Sequence, residues 1–406
     1  MPRSLENSKR PLTVYLLDLW SFIPYYMAHL CKALRTQSVD ARLGSARYHL
    51  DRNYFRSMGI QPDPVLLDLG GGLGSSFLRR AIKTFEYVIN LFVLGLRISI
   101  FGLDILHVQF TPFLDRGFTF EICFLKWMRS RGVRIVLTIH NLPDRDSRSS
   151  QKRLYQAAYA CADAIICHGS EAREKLISDF EVQSKKIRVI AHGPLFGEKP
   201  RDTTNQARHK LGLSADETLV LCAGVVSEYK GIPFLLDAWK RTSTSNSKSR
   251  LIVAGTGDSG LLGLIRAKVE MEGLSSSVDL WLRFITVAEL PLLYQAADIL
   301  VYPYKAGTTS GALLTGMNYG KAIVTTRLPF FREHLAEEVE AKMVEYGDVE
   351  SMAKVLSELI NDPERRMRLA ASLSARPSKN DPWREIACET IECYRTCPSA
   401  SDSDSQ

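Results

Sequence analysis

"LCAGVVSEYKGIPFLLDAW", residues 221–239, decides how this chain folds. An apolar run with no alternation ends at Gly224, a polar turn closes on Lys230-Gly231, and an amphipathic stretch with helical spacing follows. A strand that is apolar on both faces belongs inside a sheet covered on both sides. A strand, a tight glycine turn and a helix form half of a right-handed crossover between parallel strands.

The same grammar fills the second half of the chain. "SRLIVAG", "LLGLIRAKVEME", "VDLWLRF", "AELPLLYQAA", "DILVYPY", "SGALLTGMN" and "KAIVTTRL" alternate strand and helix patterns from residue 249 to 328. The first half repeats it less regularly, with "LTVYLLDL", a helix through 24–35, "DILHVQF", "RIVLTIHN", "ADAIICHG" and "KIRVIAHG". Between them, "LFGEKPRDTTNQARHKLGLSADE" (195–217) is polar and turn-rich. The pattern predicts two α/β domains with parallel, Rossmann-like sheets joined by a linker.

Bulk properties agree. A chain of 406 residues exceeds one ordinary domain. Its 45% hydrophobic and 24% charged residues are those of a soluble globular protein. The eight cysteines show no metal-ligand or disulfide spacing, which points to a reducing, cytosolic compartment. Basic residues precede an apolar run at the start, but Asp18 interrupts that run and a first strand is expected rather than a signal peptide. The oily stretch 87–103 carries Arg97 in its middle and is not expected to span a membrane. Residues 1–200 hold 28 Lys and Arg against 18 Asp and Glu, a surplus of +10, while the whole chain carries +7. A basic first half suggests an anionic substrate or surface for that half.

Three motifs compete for attention and settle nothing. "PVLLDLGGGLGSS" (64–76) looks like the first motif of S-adenosylmethionine-dependent methyltransferases. The ribose-binding acid required roughly 20 residues on is missing, so the glycines are expected to form a plain turn. "GTGDSG" (255–260) spells a dinucleotide fingerprint but lies second in its domain, and "DRD" (144–146) is a D-x-D too short to be specific.

Three stretches cohere instead: "LCAGVVSEYKGIPFLLDAW", "YPYKAGTTSGALLTGMNYGKAIVTT" (302–326) and the amphipathic "WREIACETIECYR" (383–395). Together with the strand ends "DILHVQF", "VLTIHNLPDRD" and "IRVIAHGPL" they resemble the family 4 group of GT-B glycosyltransferases. The resemblance implies an α/β GT-B fold of two facing Rossmann-like domains, with the C-terminal helix crossing back to the first. The domains are expected at 1–200 and 201–381, with the returning helix at 382–397 and a disordered tail at 398–406. The donor, a nucleotide-diphosphate sugar, is expected on the second domain and the acceptor on the first.

Lys230 and a helix beginning near Gly311, capped by Ser310, suit a diphosphate leaving group. Gly224, Ser227, Thr309, Gly311 and Ala312 complete the donor candidates, and Lys230 is expected to be an exposed strand-end group. His140 ends a strand at the carboxyl edge, where ligands bind, and is the second catalytic candidate; His107 and His192 have weaker claims. The family's E-x7-E pair is absent, Gly307 and Thr315 standing in those places. Neither a cofactor nor a metal is expected, nor is nucleic acid a partner. The expected partners are a nucleotide sugar, a sugar or polyprenyl-lipid-linked acceptor, and an anionic membrane surface on the cytoplasmic side. A non-catalytic GT-B partner subunit and a sugar-nucleotide epimerase are the alternatives.

Overall fold

The computed structural model describes residues 10–45, 54–68, 77–142, 149–196, 202–243, 248–376 and 381–397. The chain divides into two compact units, residues 1–193 with 380–406, and residues 194–379. The boundaries lie at Gly193/Pro194 and Lys379/Asn380, a few residues from the expected 200/201 and 381/382. The tail 398–406 and the D-x-D at 144–146 lie outside the described residues.

The first unit is built on a six-stranded sheet of β1 (Thr13–Asp18), β2 (Asp40–Ser45), β3 (Ile105–Val108), β4 (Arg134–Ile139), β5 (Ala164–Cys167) and β6 (Ile187–Val189). Its helices are α1 (Pro24–Thr36), α2 (Tyr54–Ser57), α3 (Phe77–Phe101), α4 (Phe120–Ser130), α5 (Ser149–Ala160) and α6 (Ser170–Ser178). The strand order is β2-β1-β3-β4-β5-β6 and every pair is parallel.

The second unit carries β7 (Thr218–Ala223), β8 (Ser249–Ala254), β9 (Val278–Trp281), β10 (Ile299–Tyr302), β11 (Ala322–Thr326) and β12 (Ala341–Val344). Around them run α7 (Thr204–Leu211), α8 (Ile232–Ser243), α9 (Ser259–Met271), α10 (Glu289–Ala296), α11 (Gly311–Gly316), α12 (Pro329–His334), α13 (Val349–Asn361) and α14 (Pro363–Ser374). The order is β12-β11-β10-β7-β8-β9, again all parallel. The apolar runs read from the sequence are these strands, buried on both faces.

In both sheets the chain starts in the interior, winds outward, then returns to the other side of its first strand. The reversal falls between β1 and β3 in one unit and between β7 and β10 in the other. Loops leaving the carboxyl ends of such neighbours diverge and open a crevice, where ligands bind in open α/β sheets.

The glycine motifs resolve by steric fit. Residues 64–68 form turn and irregular chain, so no strand leads into the first of them; Gly70–Gly72 and Gly74 lie outside the described residues. In "GTGDSG", a Cβ on Gly255 would lie 1.9 Å from the Gly224 carbonyl oxygen, and one on Gly257 2.3 Å from that of Val226. These glycines let two neighbouring strand-end loops pass in contact, and Asp258 caps α9 by accepting from the amides of Gly260 and Leu261.

The last helix, α15 (Pro382–Thr396), belongs to the first unit, as the resemblance implies. It packs on α1, with the Trp383 ring stacked on His29 and the Tyr394 hydroxyl 2.6 Å from His107 Nδ1. His107 is fully buried, and its Nε2 meets Thr138 Oγ1 at 2.6 Å. Burial pushes its pKa down to about 3, so it is a neutral structural residue that ties the returning helix to the sheet. Tyr394→Phe strands His107 Nδ1 without a partner, which costs about 1–3 kcal/mol. We expect that loss as a lower denaturant midpoint for the first unit; an unchanged midpoint would show that the contact holds nothing.

Candidate functional site

The two carboxyl-edge crevices are described separately, because each is built within one unit. In the second unit, β7 delivers Gly224 and a 3-10 turn over Glu228–Lys230, while β10 delivers the loop that ends at Ser310. Gly224 holds φ +125°, a conformation that favours glycine. A Cβ there would lie 2.6 Å from Lys230 Nζ and 3.9 Å from Ala312 Cβ, so these three predicted residues converge on one point.

Lys230 is buried, not the exposed strand-end group that the sequence suggested. Its turn folds the side chain back under the loops, where Nζ sits 5.5 Å from the centre of the Tyr304 ring. No carboxylate pairs with it among the described residues, and desolvation, opposed by Cys222, lowers its pKa to about 8. Ser310 Oγ accepts from the Leu313 amide, the predicted N-cap, and lies 3.3 Å from the Tyr304 hydroxyl. The cap opens a helix of only six residues, so the first free N–H groups, at Gly311 and Ala312, matter more here than a macrodipole. Thr309 Oγ1 is buried with no hydrogen-bond partner, and Ser227 Oγ is buried too. An uncompensated cation, free amides and an unpartnered hydroxyl on one crevice form a receptor for an anion.

Thr315 and Gly307, where the family pattern has glutamates, supply no carboxylate. Thr315 is buried, and its Oγ1 accepts from the Leu195 amide within the same unit. Tyr304 was not singled out from the sequence, although it belongs to the quoted "YPYK"; only the packing shows its ring beneath the lysine.

In the first unit, a cavity of about 450 Å³ opens at the ends of β1, β3 and β4. Trp20, Phe110 and Tyr155 contribute aromatic walls, with Gln109, Asp115 and Arg116 as polar groups. Tyr155 donates to Asp115, and the Arg116 guanidinium lies 5.2 Å from the Trp20 ring centre. None of these six was predicted. They come from the segments after β1 and β3 and from helix α5, far apart in sequence, and no local pattern marks them.

His140 lines the same cavity but is nearly wholly buried, stacked on Phe110. Both ring nitrogens are engaged, Nε2 with Gln109 at 2.8 Å and Nδ1 with His168 Nε2 at 3.2 Å. His168 Nδ1 faces the Ile190 carbonyl at 2.9 Å, which only accepts, so that nitrogen carries the proton. Neutral His168 then offers a lone pair to His140, whose own Nδ1 donates, leaving a lone pair at Nε2. Gln109, placed with Oε1 on this side, meets it when its amide is turned over to present the NH₂. The other amide atom of Gln109 is buried without a partner. Burial holds His168 near a pKa of about 4 and His140 well below its ordinary value. His140 is therefore neutral and internally hydrogen-bonded, an oriented part of the wall. His192, whose Nδ1 lies 2.6 Å from the Gly193 carbonyl, packs beside it.

Two parallel α/β units, each with a crevice at the reversal point of its sheet, have the architecture of the GT-B fold. Residues 24–193 match the model described as Glycosyltransferase Family 4, and residues 217–362 match Glycosyl transferases group 1. The chain belongs to the family 4-like GT-B glycosyltransferases. A D-inositol 3-phosphate glycosyltransferase 1 of Catenulispora acidiphila is 26% identical over 66% of this chain and 68% of the relative. A D-inositol 3-phosphate glycosyltransferase of Xylanimonas cellulosilytica is 27% identical over 58% of this chain and 57% of its own length. The crystal structure of Anabaena Alr3699/HepE in complex with UDP and glucose shares the fold, with a TM-score of 0.74, covering 94% of this chain and 98% of that one at 16% identity.

Because the folded pKa of Lys230 lies below its unfolded value, the unfolded chain binds more protons between about pH 8 and 10.5, and stability rises with pH across that window. At pH 7 the folded state carries the full cost of the buried charge, about 3 kcal/mol. Lys230→Met is expected to stabilise the ligand-free second unit by that order at pH 7, with the gain vanishing near pH 10.5. Urea unfolding at the two pH values measures it, and a destabilised variant would remove the picture of a strained ammonium.

Proposed function

We propose that this glycosyltransferase moves a sugar from a nucleotide diphosphate to a hydroxyl of a sugar or lipid-linked acceptor, in polysaccharide or glycolipid assembly. The observation that carries the donor assignment is the buried, uncompensated ammonium of Lys230 beside the free amides of Gly311 and Ala312. The diphosphate is the substrate that matches this charge, and the UDP and glucose in the HepE complex support the assignment by analogy of fold. As the bond from the sugar anomeric carbon to the phosphate oxygen breaks, its electron pair moves onto that oxygen. Lys230 stabilises the growing charge, a contribution that does not rely on a metal ion. In the proposed course the acceptor attacks from the face the phosphate leaves, so the configuration is retained. The acceptor hydroxyl bonds to the anomeric carbon and passes its proton to the departing phosphate.

The acceptor reading places a sugar or cyclitol ring in the first-unit cavity, against Trp20 and Tyr155, with hydroxyls toward Asp115 and Gln109. The relatives' names, which specify D-inositol 3-phosphate, fit a polar ring acceptor. His140 and Gln109 shape the floor of that site. The protein is proposed to work in the cytoplasm, at the inner face of a membrane. A second reading, a nucleotide-sugar binder without turnover, is favoured by Gly307 and Thr315 in place of glutamates. Product analysis with a panel of UDP, GDP and ADP sugars decides: transfer supports the proposal, binding without product supports the second reading, and isomerised donor indicates an epimerase.

Two further outcomes are expected. Affinity for the matching nucleoside diphosphate should fall above pH 8 by up to about tenfold per unit, because the free protein must then reprotonate Lys230 to bind. Lys230→Met should remove both the affinity and its pH dependence, measured by calorimetry. Asp115→Asn should raise the acceptor KM by about tenfold while leaving nucleotide affinity unchanged. A parallel loss of nucleotide affinity would put Asp115 in the donor site.

A further inference from the structure

The oily stretch of the first unit is part of α3, a helix of 25 residues with two apolar faces. Ala81–Phe101 is long and apolar enough to cross a bilayer. Its inner face forbids that. Tyr87, Leu91, Leu94 and Ile98 belong to the core of the unit, Asn90 bonds both the amide and the carbonyl of Leu67, and Arg97 pairs with Asp63 at 2.6 Å. Crossing would strip all of these from the sheet.

The outer face carries Phe85, Val88, Phe92, Leu96, Ile100 and Phe101, between 41% and 78% exposed. At 1.5 Å per residue they form a ridge about 24 Å long. The turn held by Asn90 adds Val65 and Leu67, also exposed. Trp127 of α4 lies against the ridge, 6.1 Å from the Phe92 ring, in a place opened by Gly95, where a Cβ would meet its ring at 2.1 Å. An apolar ridge of this length and exposure marks an interaction surface.

Charge identifies the partner. The only acids of α3 and α4, Glu86 and Glu121, are buried, whereas Lys126 and Arg131, on and just after the helix that brings Trp127 to the ridge, are exposed. Residues 1–200 carry the +10 surplus. Apolar side chains flanked by cations, with an aromatic ring at the rim, match the interface of an anionic bilayer.

We propose that α3 lies in the plane of an anionic membrane with this ridge embedded, anchoring the first unit while its core face stays folded. The proposal deepens the lipid-linked reading of the acceptor, but its test needs no turnover. The full chain is floated with vesicles of phosphatidylcholine containing about one third phosphatidylglycerol, and with phosphatidylcholine alone. Flotation with the anionic vesicles in about 0.05 M salt, reduced in about 0.5 M, is expected from screening. Phe92→Ser with Ile100→Ser should lower partitioning by about tenfold or more in either salt, with unchanged circular dichroism. Lys126→Gln with Arg131→Gln should lower it in low salt only. No flotation of the native chain, or flotation indifferent to both pairs of substitutions, would overturn the proposal. So would light scattering that shows a dimer which the Phe92 and Ile100 substitutions dissociate, since a second copy would then cover the ridge.

Discussion

A single desolvated ammonium organises the second unit. Lys230 is buried against Tyr304 with no carboxylate paired to it among the described residues, so its charge is not neutralised by any of them. Such an arrangement persists only where the rest of the structure supports it. The turn over Glu228–Lys230 hydrogen-bonds back to Ser227, Gly224 takes a conformation that favours glycine, and Gly255 lets the next loop lie in contact. The anion that belongs there gains most as its charge grows, which is the requirement of a diphosphate leaving group.

Both crevices obey one topological constraint. Winding a parallel sheet outward from an interior strand and then back across it forces two loops to part at the reversal. In one unit that place holds Gly224, Lys230 and the Ser310 cap; in the other it holds Trp20, Gln109 and His140. The chemistry differs because the side chains differ: one crevice gathers donors for an anion, the other gathers aromatic rings with a few polar groups.

The histidines show how packing reassigns residues of the same kind. His107, His140 and His168 all follow or end strands, yet burial keeps each neutral and each is consumed by internal hydrogen bonds. Their contribution is to fix the floor of the cavity and the seat of the returning helix. Proton transfer by His140 would require breaking contacts that the core maintains.

The alternation of strands and helices, the two parallel sheets, the returning helix and the cluster of Gly224, Lys230, Ser310 and Ala312 were legible in the sequence. Each rests on local patterning: apolar runs, helical spacing, a glycine turn and an N-cap serine. Residues 195–217, expected to be a linker, instead carry α7, whose Ala207 and Arg208 are buried in the second unit, the arginine donating to the Ala296 carbonyl. What the tertiary structure alone decided was burial and the company each side chain keeps. Lys230 reads as a surface lysine because nothing local reveals that its turn folds the ammonium over the Tyr304 ring. Trp20, Gln109, Asp115 and Arg116 meet only because β1 and β3 become neighbours across some ninety residues of chain. The hydropathy of α3 is equally silent about which of its faces the core takes, since both are apolar; only packing against the sheet, with Asn90 and Arg97 turned inward, leaves the phenylalanine ridge outside.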